Sequence, residues 1–350
     1  MNAIGAYSGG NGVPDTLGRL VSDSNTIKTR LDKITQQVST GLVSQTYGGL
    51  IGTAQISLNL RPQLASVDVL TRNITGAAIK IDMSSQVMDQ LQQIASTFFS
   101  GTVSMASQTS QEIDSMANQA SAALSQVRGL LNTKIGDTYL FAGQDSANQP
   151  LPDTSFNAYV QSIKTAVGGL ATAGGPATAA ATLAAASATS PFSTTLGSSR
   201  QNVTVGFGVS ASVGVVAGQD TFVTQTGTDT TGSYVRDLIR SLSTIASLNS
   251  GQASLGASFT ALVDDTRTSL GKPVAVINNE SAGLGESRQG LNMNQMALTD
   301  TQQALTLQIS NVENVDAAAT AVSLSQAQTQ LQISYKLISS MQNLSLVHFL

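Results

Sequence analysis

The chain has 350 residues, and only 11% of them are charged, against a usual ~25%. Its formal net charge is −4, and its 17 Lys and Arg residues form no run. The sequence therefore shows no basic surface for nucleic acid or an anionic membrane. Cysteine is absent, which excludes disulfides and Cys-ligated zinc. A weakly charged surface favours association between copies.

The first third of the chain predicts three helices behind a polar start. Residues 1–14 are rich in Gly, Ser and Asn, and we expect them to be disordered. Asp15 or Thr16 is a candidate cap for the first helix, and Gly41 is placed to end it. Pro62 is acceptable in a first helical turn but not in an interior. The three apolar stripes cover residues 17–38, 61–99 and 107–134.

The middle of the chain has a different composition. Residues 156–167 predict one short helix. Residues 168–198 are of low complexity and predict a linker or mobile surface, with a short Ala-rich helix at 178–188 as the alternative. Residues 201–223 alternate β-branched with other residues, which is the clearest strand signal in the chain. Residues 224–232 predict a loop rich in Thr and Gly.

Helical periodicity returns after the middle segment. Helices are predicted at about 233–248 and 253–270, and Pro273 is expected to break or kink the second. The region around Gly283 and Gly285 is expected to be loose. A helical pattern then leads into the C-terminal segment.

Residues 291–350 contain neither Pro nor Gly, and their apolar residues recur every seven positions. A seven-residue repeat keeps one helical stripe facing a partner helix. Sixty residues of helix would be about 90 Å long, and such a rod cannot bury its stripe alone. We expect its partners to be helices from the first third of the chain and from other copies.

The predicted fold is mainly α: a long, coiled-coil-like helical hairpin formed by the N- and C-terminal segments, with a small β-containing insert. We expect terminal assembly helices at 1–60 and 305–350 that are disordered in the monomer. A helical rod is predicted at 61–145 and 233–304, and a variable α/β insert at 146–232.

The apolar stripes of the two terminal segments are predicted to form the assembly interface. The alternative, that long amphipathic helices line the core of one monomer, is expected to hold for parts of 61–135 and 253–310. At the extreme ends, a single pair of stripes would leave apolar flanks uncovered. The predicted interface residues are Leu17, Leu20, Ile27, Leu31, Ile34, Val38, Val312, Val322, Leu324, Leu331, Ile338, Met341, Leu344 and Leu346.

Catalytic, cofactor and metal sites are not predicted. His348 is the single histidine and has no partner for a triad or a metal. The segment 206–211 approximates a dinucleotide-binding pattern, but a strand rather than a helix is predicted to follow it. Asp264 and Asp265 are adjacent and therefore face different directions on a helix. The aromatic segment 139–143 is interpreted as packing the end of the third helix.

Four short segments resemble the flagellin superfamily and, within it, the hook–filament junction proteins. They are the end of the first helix, the aromatic segment after the third helix, an acidic element at 313–316 and the last seven residues, Leu344–Leu350. The motif positions are Ser39, Thr40, Gly41, Tyr139, Leu140, Phe141, Ala142, Gly143, Glu313 and Asp316. The chain departs from the family at Leu42–Gly52, which replaces a polar stretch, and at 313–316, where one acid is lost.

The resemblance implies a structural, non-enzymatic protein of the extracellular bacterial flagellum, exported without a cleaved signal peptide and not inserted in a membrane. The implied partners are copies of itself in a ring, another hook-associated protein, flagellin and an export chaperone. Two alternatives remain open: a filament-forming flagellin, and a secreted adhesin that uses residues 145–250.

Overall fold

A computed structural model describes the backbone of residues 14–347 and the side chains of residues 18–342. The predicted disorder before residue 14, the family-like C-terminal ending beyond 347 and His348 lie outside the described residues. Of the residues whose backbone is described, 72% are helical, so the predicted mainly-α class is confirmed. In chain order, the helices are α1 Pro14–Thr40, α2 Ala54–Met105, α3 Ser110–Leu131, α4 Asp153–Val167, α5 Leu170–Ala173, α6 Gly175–Ala188, α7 Tyr234–Ser247, α8 Ser250–Ala253, α9 Ala257–Glu313 and α10 Ala317–Val347.

The chain folds as two compact units. The terminal unit comprises the residues up to 66 and those from 300 onward, and the central unit comprises residues 67–299. The terminal unit thus holds α1, the first part of α2, the last part of α9, and α10. The three-part division predicted from the sequence, with terminal helices disordered in the monomer, stays a prediction.

In the terminal unit, α1 and α10 pack along each other. Ser24 and Ile34 of α1 are buried, as are Ala327 and Ser334 of α10. The small side chains of Ser24, Ala327 and Ser334 allow the two helices to approach closely. Gly41 ends α1 as predicted, with a φ of +71° that favours glycine. The backbone is helical from Pro14 onward, so Asp15 and Thr16 are helical residues, and the side chains of both lie outside the described residues.

The core of the central unit is built around α7, which contacts α3, α4 and α6. Eleven of its fourteen residues are buried, whereas a helix at a surface buries only one stripe. Ser233 caps it by accepting a hydrogen bond from the backbone N–H of Arg236 at 3.5 Å. α7 is therefore covered on nearly every side.

The β structure consists of two small antiparallel hairpins. Their strands are β1 Lys134–Ile135, β2 Thr138–Tyr139, β3 Gln201–Gly206 and β4 Val209–Val213. β3 pairs with β4 from Gln201↔Val213 to Gly206↔Val209. This confirms the strand signal at 201–213, but residues 214–223 form no strand. The turn of this hairpin lies at residues 207–208, with Gly208 at a φ of +75°. A strand, β4, follows it as predicted, instead of the helix that a dinucleotide-binding pattern requires.

The prediction of a linker at 168–198 is wrong, because α5 and α6 lie there and α6 packs on α4 and α7. Gly175 approaches α9 so closely that a Cβ would lie 2.3 Å from the carbonyl oxygen of Ser258. The guanidinium of Arg236 donates hydrogen bonds to Ala186 O at 2.9 Å and Thr189 O at 2.6 Å, at the C-terminus of α6. Small residues permit this close packing, which composition alone does not reveal. The alternative of an Ala-rich helix is confirmed.

Two predicted interruptions are absent from the described helices. α9 continues through Pro273 and through the glycines at 283 and 285. A proline in a helix interior costs about 3 kcal/mol. Burial of Leu270 and Ile277 on either side offsets this, since a fully buried aliphatic side chain contributes about 1.5–3 kcal/mol. α2 begins at Ala54, so Pro62 also lies inside a helix.

The predicted continuous C-terminal rod is wrong in one place. The helix stops at Glu313 and restarts at Ala317. The three residues between are held in an extended conformation by hydrogen bonds to the end of α1, which the next section describes. A break of this kind depends on a partner far away in sequence.

Candidate functional site

The helix break at 314–316 is paired with the segment that follows α1. The backbone N–H of Val43 donates to Glu313 O at 2.7 Å, and that of Val315 donates to Gly41 O at 2.9 Å. Leu42 and Asn314 form the antiparallel bridge between them. Two of the family-like segments, predicted separately from the sequence, therefore meet in one place, which we call the connector site.

The side chain of Glu313 ties the connector site to α2. It accepts hydrogen bonds from Arg61 Nε at 2.9 Å and Arg61 Nη2 at 2.6 Å, and one from Ser57 Oγ. The hydrogen bond from Arg61 lowers the pKa of the Glu313 carboxyl, partial burial raises it, and Ser57 lowers it further. The net direction is downward, so Glu313 stays ionised as the pH falls below the ordinary glutamate range.

Asp316, the second acid of this element, has a different task. Its Oδ1 accepts from the backbone N–H groups of Ala318 at 2.9 Å and Ala319 at 3.1 Å. An acidic side chain in this position satisfies free donors at a helix start and favours the helix dipole. Asp316 thus begins α10 immediately after Glu313 has ended α9.

Ser39 and Thr40 sit in the last turn of α1. Their hydroxyls donate to Gln36 O at 3.0 and 2.8 Å. The Gln37 amide donates to Val43 O at 2.8 Å, which fixes the chain direction after Gly41. These polar residues close the helix rather than present reactive groups.

The predicted interface residues fall into three groups by burial. Ile34 is buried, and a larger group is half-buried along the contact between α1 and α10. Val38 and Val322 are exposed, and the side chains of Leu17, Leu344 and Leu346 lie outside the described residues. The half-buried members are Leu20, Ile27, Leu31, Val312, Leu324, Leu331, Ile338 and Met341.

The structure also exposes apolar residues that the sequence did not predict as interface, beside Val322, which it did. The outer stripe comprises Val322, Ile333 and Leu337, which are 57%, 54% and 49% exposed and fall within about 60° of one another at 3.6 residues per turn. The seven-residue spacing favoured the other face of α10, although the i, i+4 pair at 333 and 337 was visible. Exposed apolar side chains also follow α1, at Tyr47, Ile51, Ile56 and Leu58, with Ile51 90% exposed; Ile56 and Leu58 lie two positions apart in α2 and therefore face different directions.

The aromatic segment 139–143 belongs to the central unit. Phe141 and Ala142 are fully buried. The backbone N–H of Leu140 donates to Thr133 O at 2.9 Å, next to the end of α3, as expected. The segment also holds the insert, because Ala217 N–H donates to Phe141 O at 3.0 Å. This second role could not be read from the sequence.

Gly143 closes this segment in a left-handed conformation, with a φ of +60°. A Cβ at this position would lie 2.5 Å from the carbonyl oxygen of Ser199. The backbone N–H of Gln144 donates to the same oxygen at 3.1 Å. Glycine is therefore required here by both conformation and space.

Polar groups elsewhere form structural pairs. Asp264 lies 3.3 Å from Arg267, while burial raises the pKa of the neighbouring Asp265 carboxyl. Within residues 14–347, no group of three or more His, Cys, Asp or Glu side chains is placed to hold a metal ion. No helix in the same range has the length and apolar character needed to cross a membrane.

Comparison with protein families gives two matches. The bacterial flagellin N-terminal helical region matches residues 20–146, and the bacterial flagellin C-terminal helical region matches residues 267–350. Together they cover more than half of the chain, including the connector site and the aromatic segment. A comparison with curated proteins found no match.

Among solved structures, one similar chain is described as a candidate flagellar hook-associated protein from Vibrio parahaemolyticus. It is 12% identical, and the match covers 75% of this chain and 99% of that chain with a TM-score of 0.44. At that identity and TM-score it adds no argument to the family matches. On the two family matches, this chain belongs to the flagellin family, the structural proteins of the bacterial flagellum, which is an extracellular appendage.

Proposed function

We propose that this flagellin-family chain is the hook–filament junction protein, which assembles as a ring between another hook-associated protein and flagellin. The observation that carries the proposal is the incomplete burial of the terminal unit. α1 and α10 cover one stripe of each other and leave the outer stripe exposed, and Ile51, in the segment between α1 and α2, is 90% exposed.

Exposed apolar area of this kind favours association. Single apolar residues on a surface are ordinary, but aligned ones on a two-helix pair mark a contact surface. Ile51, Val322 and Ile333 are each more than half exposed, and the low net charge opposes association only weakly. Copies of the same chain are the simplest partners, because each supplies the same surfaces.

The choice of a junction protein over a filament flagellin is supported by the aromatic segment 139–143. Its sequence resembles the corresponding segment of junction proteins rather than that of filament flagellins. The structure gives the segment a defined task, since it holds residues 199 and 217 of the insert beside the end of α3. Export before assembly, assisted by a chaperone and without a cleaved signal, follows from the same proposal.

The test places one charge on the outer stripe. Ile333→Asp should abolish incorporation into flagella and motility in cells that lack the native gene, because a contact would bury an unpaired carboxylate. Gln328→Asp is the matched control: it adds the same charge to an exposed position on another face of α10 and should leave both properties intact. Circular dichroism checks that both monomers keep their helix content.

Two results would contradict the proposal. Full incorporation of Ile333→Asp would show that the outer stripe is not part of the assembly interface. Long filaments formed by the purified wild-type chain alone would instead favour a filament flagellin. Electron microscopy of purified protein and of the hook–filament joint distinguishes the two outcomes.

A further inference from the structure

A buried glutamate in the central unit holds a surface loop and has no cationic partner. Glu280 lies in α9 and is fully buried. Its Oε1 accepts hydrogen bonds from the backbone N–H groups of Thr221 at 2.6 Å and Phe222 at 2.8 Å. Its Oε2 is buried without a hydrogen-bond partner among the described residues. A buried carboxylate oxygen left in this state is unfavourable when charged.

The loop held by Glu280 comprises residues 218–232, which enter α7. The ring of Phe222 lies directly on α9, since a Cβ at Gly283 would come within 2.3 Å of it. The guanidinium of Arg200 lies 5.1 Å from the centre of the same ring. The tip of the loop, from 226 to 229, is exposed, so the loop is held at its ends.

Two further carboxylates secure the loop ends. Asp220 accepts from the N–H groups of Tyr234 at 2.9 Å and Gln225 at 3.1 Å. Asp237, which is buried, accepts from Thr231 N–H at 3.0 Å. The loop therefore closes over α7 and α9 mainly through amide donors and carboxylate acceptors.

The charges around Glu280 do not neutralise it. Burial raises the pKa of the Glu280 carboxyl despite the amides that lower it, and burial likewise raises the pKa of Asp220. Tyr234, on α7, is neutral and has its pKa raised by burial and by the charges of Glu280 and Asp220. Among the described residues no cation forms an ion pair with Glu280: Arg240 lies 4.0 Å from Asp237, Lys272 lies 3.5 Å from Asp229, and Arg200 lies over the ring of Phe222.

We propose that the 218–232 loop is a proton-responsive cover, which closes more tightly when Glu280 takes up a proton and opens more readily when Glu280 is ionised. Opening brings water to the carboxylate and removes the penalty of burying its charge. The neutral acid can keep accepting the two amide hydrogen bonds without that penalty. Acidification thus tightens this loop, although acid weakens most folded proteins.

The sign follows from the direction of the pKa shift. A carboxyl whose pKa is higher with the loop closed than with it open adds stability to the closed form as the pH falls. The change spans the interval from the raised pKa down to the ordinary glutamate value of about 4.3. Each pKa unit of difference corresponds to about a tenfold change in the opening equilibrium.

The experiment is hydrogen exchange of the full chain, read by mass spectrometry between pH 4 and pH 8, which includes the ordinary glutamate value, and corrected for intrinsic exchange. In the wild type, protection of the 218–232 amides should fall several-fold as the pH rises. Glu280→Gln should raise that protection several-fold at pH 7.5 and remove most of its pH dependence. Glu286→Gln, an exposed acid on the same helix, should behave as the wild type. Asp220→Asn measures how much the Asp220 carboxyl contributes to the pH dependence of loop protection.

Three outcomes would overturn the proposal: a wild-type loop whose protection is independent of pH, a Glu280→Gln loop less protected than the wild type at pH 7.5, or an unchanged pH dependence in that variant. If Glu280→Gln loses protection throughout α7, the substitution has destabilised the unit itself. The test is then the pKa of Glu280 in the wild type, measured by carbon-13 NMR. Titration of Glu280 at or below the ordinary glutamate pKa would then contradict the proposal.

Discussion

Both the terminal and the central unit contain helices with apolar side chains, but they bury those side chains to different extents. α7 is buried on almost every side because α3, α4 and α6 pack against it and its Arg240 donates to Ser269 Oγ of α9 at 2.6 Å. α10 has α1 as its helical neighbour and keeps Ile333 and Leu337 half exposed. The difference lies in the number of packed neighbours rather than in apolar content. It agrees with the proposal that other copies complete the terminal unit, whereas the central unit is packed within one chain.

The same contrast separates two glutamates of α9. Glu313, in the terminal unit, has a lowered pKa because Arg61 donates to it. Glu280, in the central unit, has a raised pKa because burial dominates. One carboxylate therefore stabilises its surroundings when charged, and the other does so when neutral. Opposite responses to acid within one helix follow from the local partners alone.

The largest expected effect on stability is in the central unit. Phe141→Ala should lower its free energy of unfolding by about 3–5 kcal/mol, because a fully buried aromatic side chain leaves a cavity. Leu331→Ala, in the half-buried stripe of the terminal unit, should cost only about 1 kcal/mol. Denaturant unfolding followed by circular dichroism measures both. Equal losses would contradict the contrast between the units.

The next largest effect is expected at the contact between the aromatic segment and the insert. Gly143→Ala should destabilise the central unit by about 1–3 kcal/mol, because alanine is strained at a positive φ and its Cβ would meet Ser199 O. Gly76→Ala is the control, since it lies in α2 with open space around it. It should stabilise the helix by about 0.5–1 kcal/mol. Thermal unfolding of the two variants should shift in opposite directions.

A smaller effect is expected at the connector site. Glu313→Gln removes the ion pair with Arg61 and should lower the free energy of unfolding of the terminal unit by about 1–2 kcal/mol. This is at the low end for a hydrogen bond between charged groups, because Arg61 is half exposed. Exchange of the Val43 and Val315 amides, read by NMR, should accelerate accordingly. Glu286→Gln should leave it unchanged.

The pH dependence at this site is opposite to that of the 218–232 loop. The lowered pKa of Glu313 means that its contribution is present above the ordinary glutamate value of about 4.3. It is lost as the pH falls through the lowered folded value. Connector-site exchange, corrected for intrinsic rates, should therefore accelerate below about pH 4. Acceleration on raising the pH instead would contradict the assignment of Arg61 as the dominant partner.

Much of the fold could be predicted from local patterns. The stripes of the first three helices, the strands at 201–213 and the glycine that ends α1 depend on neighbours in sequence, and the structure confirms them. The helices within 168–198 were missed because Ala and Thr pack closely without a strong apolar signal. The break after Glu313 was missed because its partners, Gly41 and Val43, lie far away in the chain.

The candidate site was also predicted only in part: its segments were predicted, but not how they pair. The motif segments around Gly41 and Glu313 were recognised separately, but their pairing through backbone hydrogen bonds has no local signature. Ser57 and Arg61 were not singled out, since their role depends on a carboxylate about 250 residues later in the chain. Val322 was predicted as an interface residue, but Ile333 and Leu337 were not, because they lie on the face of α10 opposite the seven-residue repeat of Leu324, Leu331 and Ile338.

Hydrogen exchange of the wild-type monomer tests the central claim most directly. We predict low protection along α1 and α10, because their apolar residues are only partly covered in a single chain, and high protection in α3, α7 and the middle of α2. Protection of α1 and α10 as strong as that of α7 in the isolated monomer would contradict the account, since the terminal unit would then be complete without other copies.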